Sequence, residues 1–277
     1  MEPSPHALRS AIGRAPPRRV RCDVVVQTTR ERLASMSLRL AMWSGPRNIS
    51  TAMMRSWGSR PDATVCDEPL YAHYLLMTAD RRHPGYDETL AHHDTDLASV
   101  IRWLTGPMPP EKPVFYQKQM AHHLLPEIEL DWIDQLTSAF LIREPREMLT
   151  SLAEFIPSPN VEDTGLPQQV ALFERVRERT GLTPPVLDAA DVLRNPRRML
   201  ALLCDAVDVP FREEMLQWAP GPRETDGAWA PFWYAKVYET TTFAPYKRKG
   251  DAVPEHLADV LAECERLYRR LYEHRLR

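Results

Sequence analysis

The chain holds 277 residues with a net charge of −3, 43% hydrophobic and 26% charged. That length supports one large domain or two small ones with an ample core, and the near-balanced charge gives no electrostatic footprint for nucleic acid. No apolar run approaches the roughly 20 residues that span a bilayer. The four cysteines, Cys22, Cys66, Cys204 and Cys264, form no C-x-x-C pair, which speaks against a disulfide framework or a zinc site and for a reducing, cytoplasmic compartment.

Residues 1–35 carry seven Arg against three acidic residues and a Pro16-Pro17 pair that breaks any amphipathic helix. They lack the apolar core of a secretory signal and read as a weakly ordered extension, with Met36 a candidate original start. Leu38 to Trp43 is apolar enough for a central strand. Ser44-Gly45-Pro46-Arg47-Asn48-Ile49 is a turn, and Ser50 to Trp57 suits a helix. Strand, tight turn and helix start form a phosphate-binding layout: free N–H groups and the helix dipole make one positive spot. Arg47 adds a planar cationic fork, and Ser50 and Thr51 add hydroxyls. The G-x-x-x-x-G-K-(S/T) loop of nucleoside-triphosphate enzymes is not present.

Ala63 to Cys66 reads as a second strand running into Asp67-Glu68-Pro69. Ligands in open α/β sheets lie beyond strand carboxyl ends, which makes Asp67 and Glu68 site candidates, Glu68 the preferred one. Asp67 reads as a carboxylate offsetting the dipole of the helix that follows. Residues 80–95 are polar, and His92, His93 and Asp94 read as solvated surface, since no metal-ligand set stands out. Asp96 to Leu104 is an amphipathic helix. Pro113 to Gln117 is a third strand that delivers Lys118, with His122 and His123 shortly after.

Thr137 to Ile142 is a fourth strand that runs into Arg143-Glu144-Pro145-Arg146-Glu147, with Ser151 eight residues after Arg143. Pro145 is placed to open a helix. Residues 154–164 read as a loop over the site, 168–180 as a helix, and 185–188 as a fifth strand. The run 189–211 packs on the sheet. The aromatic-rich stretch 212–246 reads mostly as core, with a cationic run at Lys247-Arg248-Lys249. A helix from about Glu255 to Tyr272 closes the chain with an apolar stripe. Strands alternating with helices give a three-layer α/β/α sandwich around a central parallel sheet.

Four of these stretches resemble the P-loop sulfotransferases, which use 3'-phosphoadenosine 5'-phosphosulfate (PAPS). Pro46 to Thr51 resembles their P-R-S-G-T-T loop, with Ile49 in place of the glycine. Lys118 with His122-His123-Leu124-Leu125-Pro126 resembles K-T-H-L-P, stretched by extra residues. Arg143 to Glu147 with Ser151 matches R-(D/N)-P-R-(D/E) and its distant serine, and Arg248-Lys249-Gly250 is similar to a basic R-K-G segment. The resemblance implies a P-loop NTPase-like fold, a single domain over 36–277, and sulfuryl transfer from PAPS to a hydroxyl or amine of a small-molecule acceptor, with no metal. It implies that Arg47, Asn48, Ser50 and Thr51 hold the 5'-phosphosulfate, while Arg143, Ser151, Arg248 and Lys249 hold the 3'-phosphate. Lys118 would stabilise developing charge, with Glu68, His122 or His123 as base. No nucleic-acid or membrane partner is expected, and a homodimer is left open. The alternatives are a small-molecule kinase using ATP and Mg²⁺, or a nucleotide-binding module without catalysis.

Overall fold

The strand β1 (Leu38–Ser44) is central. Leu38, Leu40 and Met42 enter one apolar cluster, while Ala41 and Trp43 enter another. Such alternation between two apolar clusters requires a strand covered on both faces. The strands β2 (Ala63–Asp67), β3 (Val114–Met120), β4 (Thr137–Ile142) and β5 (Val186–Asp188) join it in the order β2-β3-β1-β4-β5. All pairings are parallel, and Ser44 lies level with Met120 on one side and Leu141 on the other. The chain leaves β1 towards β2 and β3, then crosses to β4 and β5. The crevice beyond Ser44 is therefore the topological switch point, where open sheets bind ligands.

The computed structural model describes Met1, residues 37–248 and residues 252–277. The arginine-rich opening segment and Lys249 lie outside the described residues, so the readings made for them stay sequence expectations. Ser37–Arg277 forms one compact unit.

The helices are α1 (Ser50–Gly58), α2 (Tyr71–Thr78), α3 (Tyr86–His92), α4 (Leu97–Thr105), α5 (Pro145–Ala153), α6 (Leu166–Thr180), α7 (Ala189–Arg194), α8 (Pro196–Ala206), α9 (Ala230–Trp233), α10 (Ala235–Tyr238) and α11 (Ala258–Tyr272). Met53, Met54 and Trp57 of α1 and Met199, Leu200 and Leu203 of α8 cover one sheet face. The other is covered by α4, α5, α6 and α11, through residues such as Leu104, Leu149, Phe173 and Leu267. The result is the three-layer sandwich expected from the alternation of elements. No described helix is long and apolar enough to cross a membrane.

Two boundaries differ from the sequence reading. β3 continues to Met120, so Lys118 lies within the strand and not beyond it. Its polar neighbours are tied in there: Gln117 donates to the Leu104 carbonyl at 3.0 Å, and Gln119 to Gln117 at 3.2 Å. After β5, two short helices meet at Pro196. Asp188 caps α7, accepting from Ala190 N–H, and Asn195 caps α8, accepting from Arg198 N–H.

Candidate active site

The turn after β1 is held by close backbone packing. A Cβ at Gly45 would lie 2.1 Å from the Thr164 carbonyl oxygen, so no larger residue fits. Arg47 and Ile49 both take left-handed backbone conformations, with φ of 61° and 59°. Ile49 thus keeps the conformation a glycine would adopt, although a left-handed β-branched residue costs about 1–2 kcal/mol. α1 then starts with no side-chain cap and no acidic residue in its first turn. Its first internal bond runs from Met53 N–H to Ile49 C=O, 3.1 Å. The N–H groups of Ser50, Thr51 and Ala52 are left without helical acceptors, and all three residues line one cavity of about 270 Å³.

Two arginines frame this end. Arg47 donates from Nε to Ser151 Oγ at 3.0 Å, and its guanidinium lies 4.6 Å over the Phe155 ring. Burial lowers its proton affinity, with Glu154 opposing and Arg143 adding to the effect. Arg143, at the end of β4, donates to the Arg47 carbonyl at 2.7 Å and pairs with Glu147, one helical turn on, at 3.1 Å. Asn48 is buried and turned inward, donating from Nδ2 to the Leu141 carbonyl at 3.2 Å. It fastens the loop to β4.

A second part of the lining is built on a buried charge cluster. Lys118 Nζ donates to Asp67 Oδ1 at 2.8 Å, to Glu68 Oε1 at 2.5 Å and to Tyr234 OH at 2.5 Å. An ammonium has three N–H donors, so Lys118 is saturated. Tyr234 OH in turn donates to Asp67 at 2.8 Å and accepts from Trp229 Nε1 at 3.2 Å, while Gly227 N–H donates to Asp67 Oδ2 at 3.2 Å. Burial raises the Glu68 pKa, with Lys118 opposing and Asp67 adding. Burial also works against the Lys118 charge, but Asp67 and Glu68 outweigh it and lift Lys118 well above its ordinary value. Asp67 is therefore no helix-dipole carboxylate, as the sequence suggested, but the deepest partner of Lys118.

His122 and His123 sit in a short 3-10 turn after β3, packed among Tyr71, Tyr74 and His83. His123 stacks on Tyr71 at 4.7 Å and 5°. Burial, aided by His83, pushes the His122 pKa down to about 3, and burial with His122 pushes His123 well below its ordinary value. Both rings are neutral at physiological pH and poor at holding a proton.

The cavity thus gathers Arg47, Asn48, Ser50, Thr51, Glu68, Lys118, His122, His123 and Arg143. Ser151 is behind this lining, reached through Arg47. Arg248 is exposed and not among the lining residues. Sequence reasoning passed over Asp67 in favour of a helix-dipole role and missed Tyr71, His83, Trp229, Trp233 and Tyr234. The last three belong to the aromatic stretch read mostly as core; Trp229 and Tyr234 do join a small core cluster with Trp233 packed against it, and all three line the cavity as well. His93 was read as solvated surface, yet its Nε2 accepts from Ala228 N–H at 2.9 Å and its ring lies 4.7 Å from Trp229. Among the described residues, no group of His, Cys, Asp or Glu is arranged to hold a metal ion.

Comparison with known proteins agrees with this architecture. The family model described as "Sulfotransferase domain" matches residues 38–271. Two curated relatives from Arabidopsis thaliana, "Branched-chain-amino-acid aminotransferase-like protein 2" and "protein 1", are 32% identical over 226 residues and 33% identical over 235. The matches cover 82% and 84% of this chain but 40% and 41% of the relatives, so the chain spans about two-fifths of their length. A solved sulfotransferase from Alicyclobacillus acidocaldarius shares the fold, with a TM-score of 0.50 and 13% identity over 86% of this chain and 97% of that one. From the strand–loop–helix at Leu38 to the end of α11, the chain belongs to the sulfotransferase domain family.

Proposed function

We propose that residues 36–277 act as one catalytic domain that transfers a sulfuryl group from PAPS to a hydroxyl or amine of a small acceptor. The observation that carries this reading is the polarity of the cavity. Uncapped first-turn N–H groups with Arg47 and Arg143 give the cavity a cationic part, and Glu68 adds a carboxylate to the same lining. The cationic part fits a phosphosulfate: Ser50, Thr51 and Ala52 offer backbone donors, and Arg47 offers charge where the leaving phosphate develops it. Arg143 and Ser151 suit the 3'-phosphate, with Arg143 exchanging its Glu147 partner for the ligand.

Glu68 is the preferred base. A carboxylate whose pKa is raised is better matched to neutral pH than an imidazole whose pKa is driven to about 3. In the transfer step Glu68 takes the acceptor proton as the acceptor atom bonds to sulfur. The bond from sulfur to the bridging oxygen breaks, its electron pair stays on the phosphate, and 3',5'-adenosine bisphosphate departs. Lys118, with all three donors taken, acts through Glu68 by compensating two carboxylates.

That saturation also favours a second reading, a nucleotide-binding module without transfer. Calorimetry with 3',5'-adenosine bisphosphate beside ATP–Mg²⁺, on wild type and Arg143→Ala, tests both. Micromolar bisphosphate binding lost in the variant supports the PAPS site. A preference for ATP–Mg²⁺ overturns it, and bisphosphate binding without turnover on any acceptor favours the second reading.

A further inference from the structure

We infer that the acceptor is an amine, recognised as its ammonium ion by Glu68 and the aromatic walls beside it. Asp67, Glu68 and Lys118 place two negative charges against one positive charge. Their side-chain exposures are 1%, 12% and 1%, so Glu68 is the member that fronts the cavity. An excess carboxylate in a mostly apolar space is costly until a proton or a cation joins it. Tyr71, Trp229, Trp233 and Tyr234 line the same space. Aromatic faces attract cations.

His122 supplies an independent sign of a guest. It is 7% exposed, lines the same cavity, and its Nδ1 has no hydrogen-bond partner. It is a buried polar ring whose needs the protein does not meet. Beyond Lys118, the positive lining residues have other partners or lie exposed: Arg47 donates to Ser151, Arg143 pairs with Glu147, and Lys236 is exposed. A neutral alcohol would leave the Glu68 charge unmatched.

The chemistry balances. Glu68 takes one proton from R–NH₃⁺, and the freed nitrogen lone pair bonds to sulfur. The sulfur–oxygen bridge breaks towards the phosphate, and the second nitrogen proton passes to solvent, leaving a sulfamate and 3',5'-adenosine bisphosphate. This inference rests on the sulfuryl-transfer reading only for which part of the lining takes the donor.

The test uses two probes of one shape, benzylamine and benzyl alcohol, titrated calorimetrically into the full chain near neutral pH, with and without 3',5'-adenosine bisphosphate. The amine is expected to bind about tenfold or more tightly than the alcohol. Glu68→Gln, checked for cooperative thermal unfolding, should reduce that preference to about threefold or less. Trp233→Leu, at a half-buried wall position, should narrow it as well. Equal binding of the two probes, no binding of either, or an undiminished preference in a folded Glu68→Gln would overturn the inference. Failure of the bisphosphate to bind would instead remove the sulfuryl-transfer reading, and the amine preference would still be measured.

Discussion

Asp67 and Tyr234 are 167 positions apart in the chain, yet the tyrosine hydroxyl donates to the aspartate at 2.8 Å while accepting from Lys118. This contact joins the end of β2 to the aromatic segment after α9 and sets the floor of the cavity. Tyr234→Phe removes an oxygen that also accepts from Trp229 Nε1. With these buried donors left unpaired, the variant should lose about 1–3 kcal/mol in urea unfolding. An unchanged midpoint would show that the cluster rearranges freely.

The α1 helix is tied to that same segment. Arg55 grips Asp226 with two bonds of 2.6 and 2.7 Å, and their side chains are 3% and 4% exposed. Arg55→Met should cost about 3–5 kcal/mol, because it strands a buried carboxylate. Arg55→Met with Asp226→Leu should recover most of that loss. A double variant as unstable as the single one would contradict the pairing.

Ile49 offers a backbone test. Ile49 is half-buried, so trimming it costs less than the ~2–5 kcal/mol of a fully buried Ile. Here Ile49→Gly also relieves a left-handed conformation at φ 59°, so the two effects oppose each other and the net change should stay below about 1 kcal/mol. Bisphosphate affinity, measured alongside, should be kept or improved.

The histidine cluster makes stability pH-dependent. His122 has its pKa lowered to about 3 in the folded state, whereas an unfolded histidine titrates near 6.5. The unfolded chain therefore binds the extra proton first as pH falls. The stability is fully present above about 6.5 and is lost towards 3, on the order of 5 kcal/mol for this one group. His122→Gln should flatten the fall of the thermal midpoint between neutral and acidic pH.

Glu68 has the opposite sense. Its folded pKa is raised, so the unfolded state loses its proton first, and stability drops as pH rises through the folded value. Relative to wild type, Glu68→Gln should gain stability as pH climbs from about 4 towards neutrality, where an ionised Glu68 would be removed. Turnover, by contrast, should rise with pH over the same window, since only the carboxylate can accept a proton.

The sheet, its parallel sense and the turn between β1 and α1 were legible because they depend on local pattern: apolar runs, turn residues, and Pro145 at a helix start. Arg47, Ser50, Thr51 and Arg143 follow from that pattern, since each stands at a strand end or a helix start. The buried charge cluster was only half legible. Glu68 and Lys118 could be named, but not that Lys118 would be saturated, because its third partner comes from Tyr234, far along the chain. The histidines announced themselves as a pair, but their chemistry depends on burial against Tyr71 and Tyr74, which no spacing reveals. Tyr234 was hidden among eight aromatics whose shared signal is simply apolar surface.

The three described cysteines stand in β2, α8 and α11, all buried and unpaired. Burial lifts the Cys66 thiol well above its ordinary value and holds Cys204 and Cys264 at about 11. Alkylation needs the thiolate, so each of these positions reacts only when its own element opens. Three regions of one molecule therefore carry three built-in clocks. The rates at which they are labelled would rank the sheet edge, the α8 layer and the closing helix by how often each comes apart.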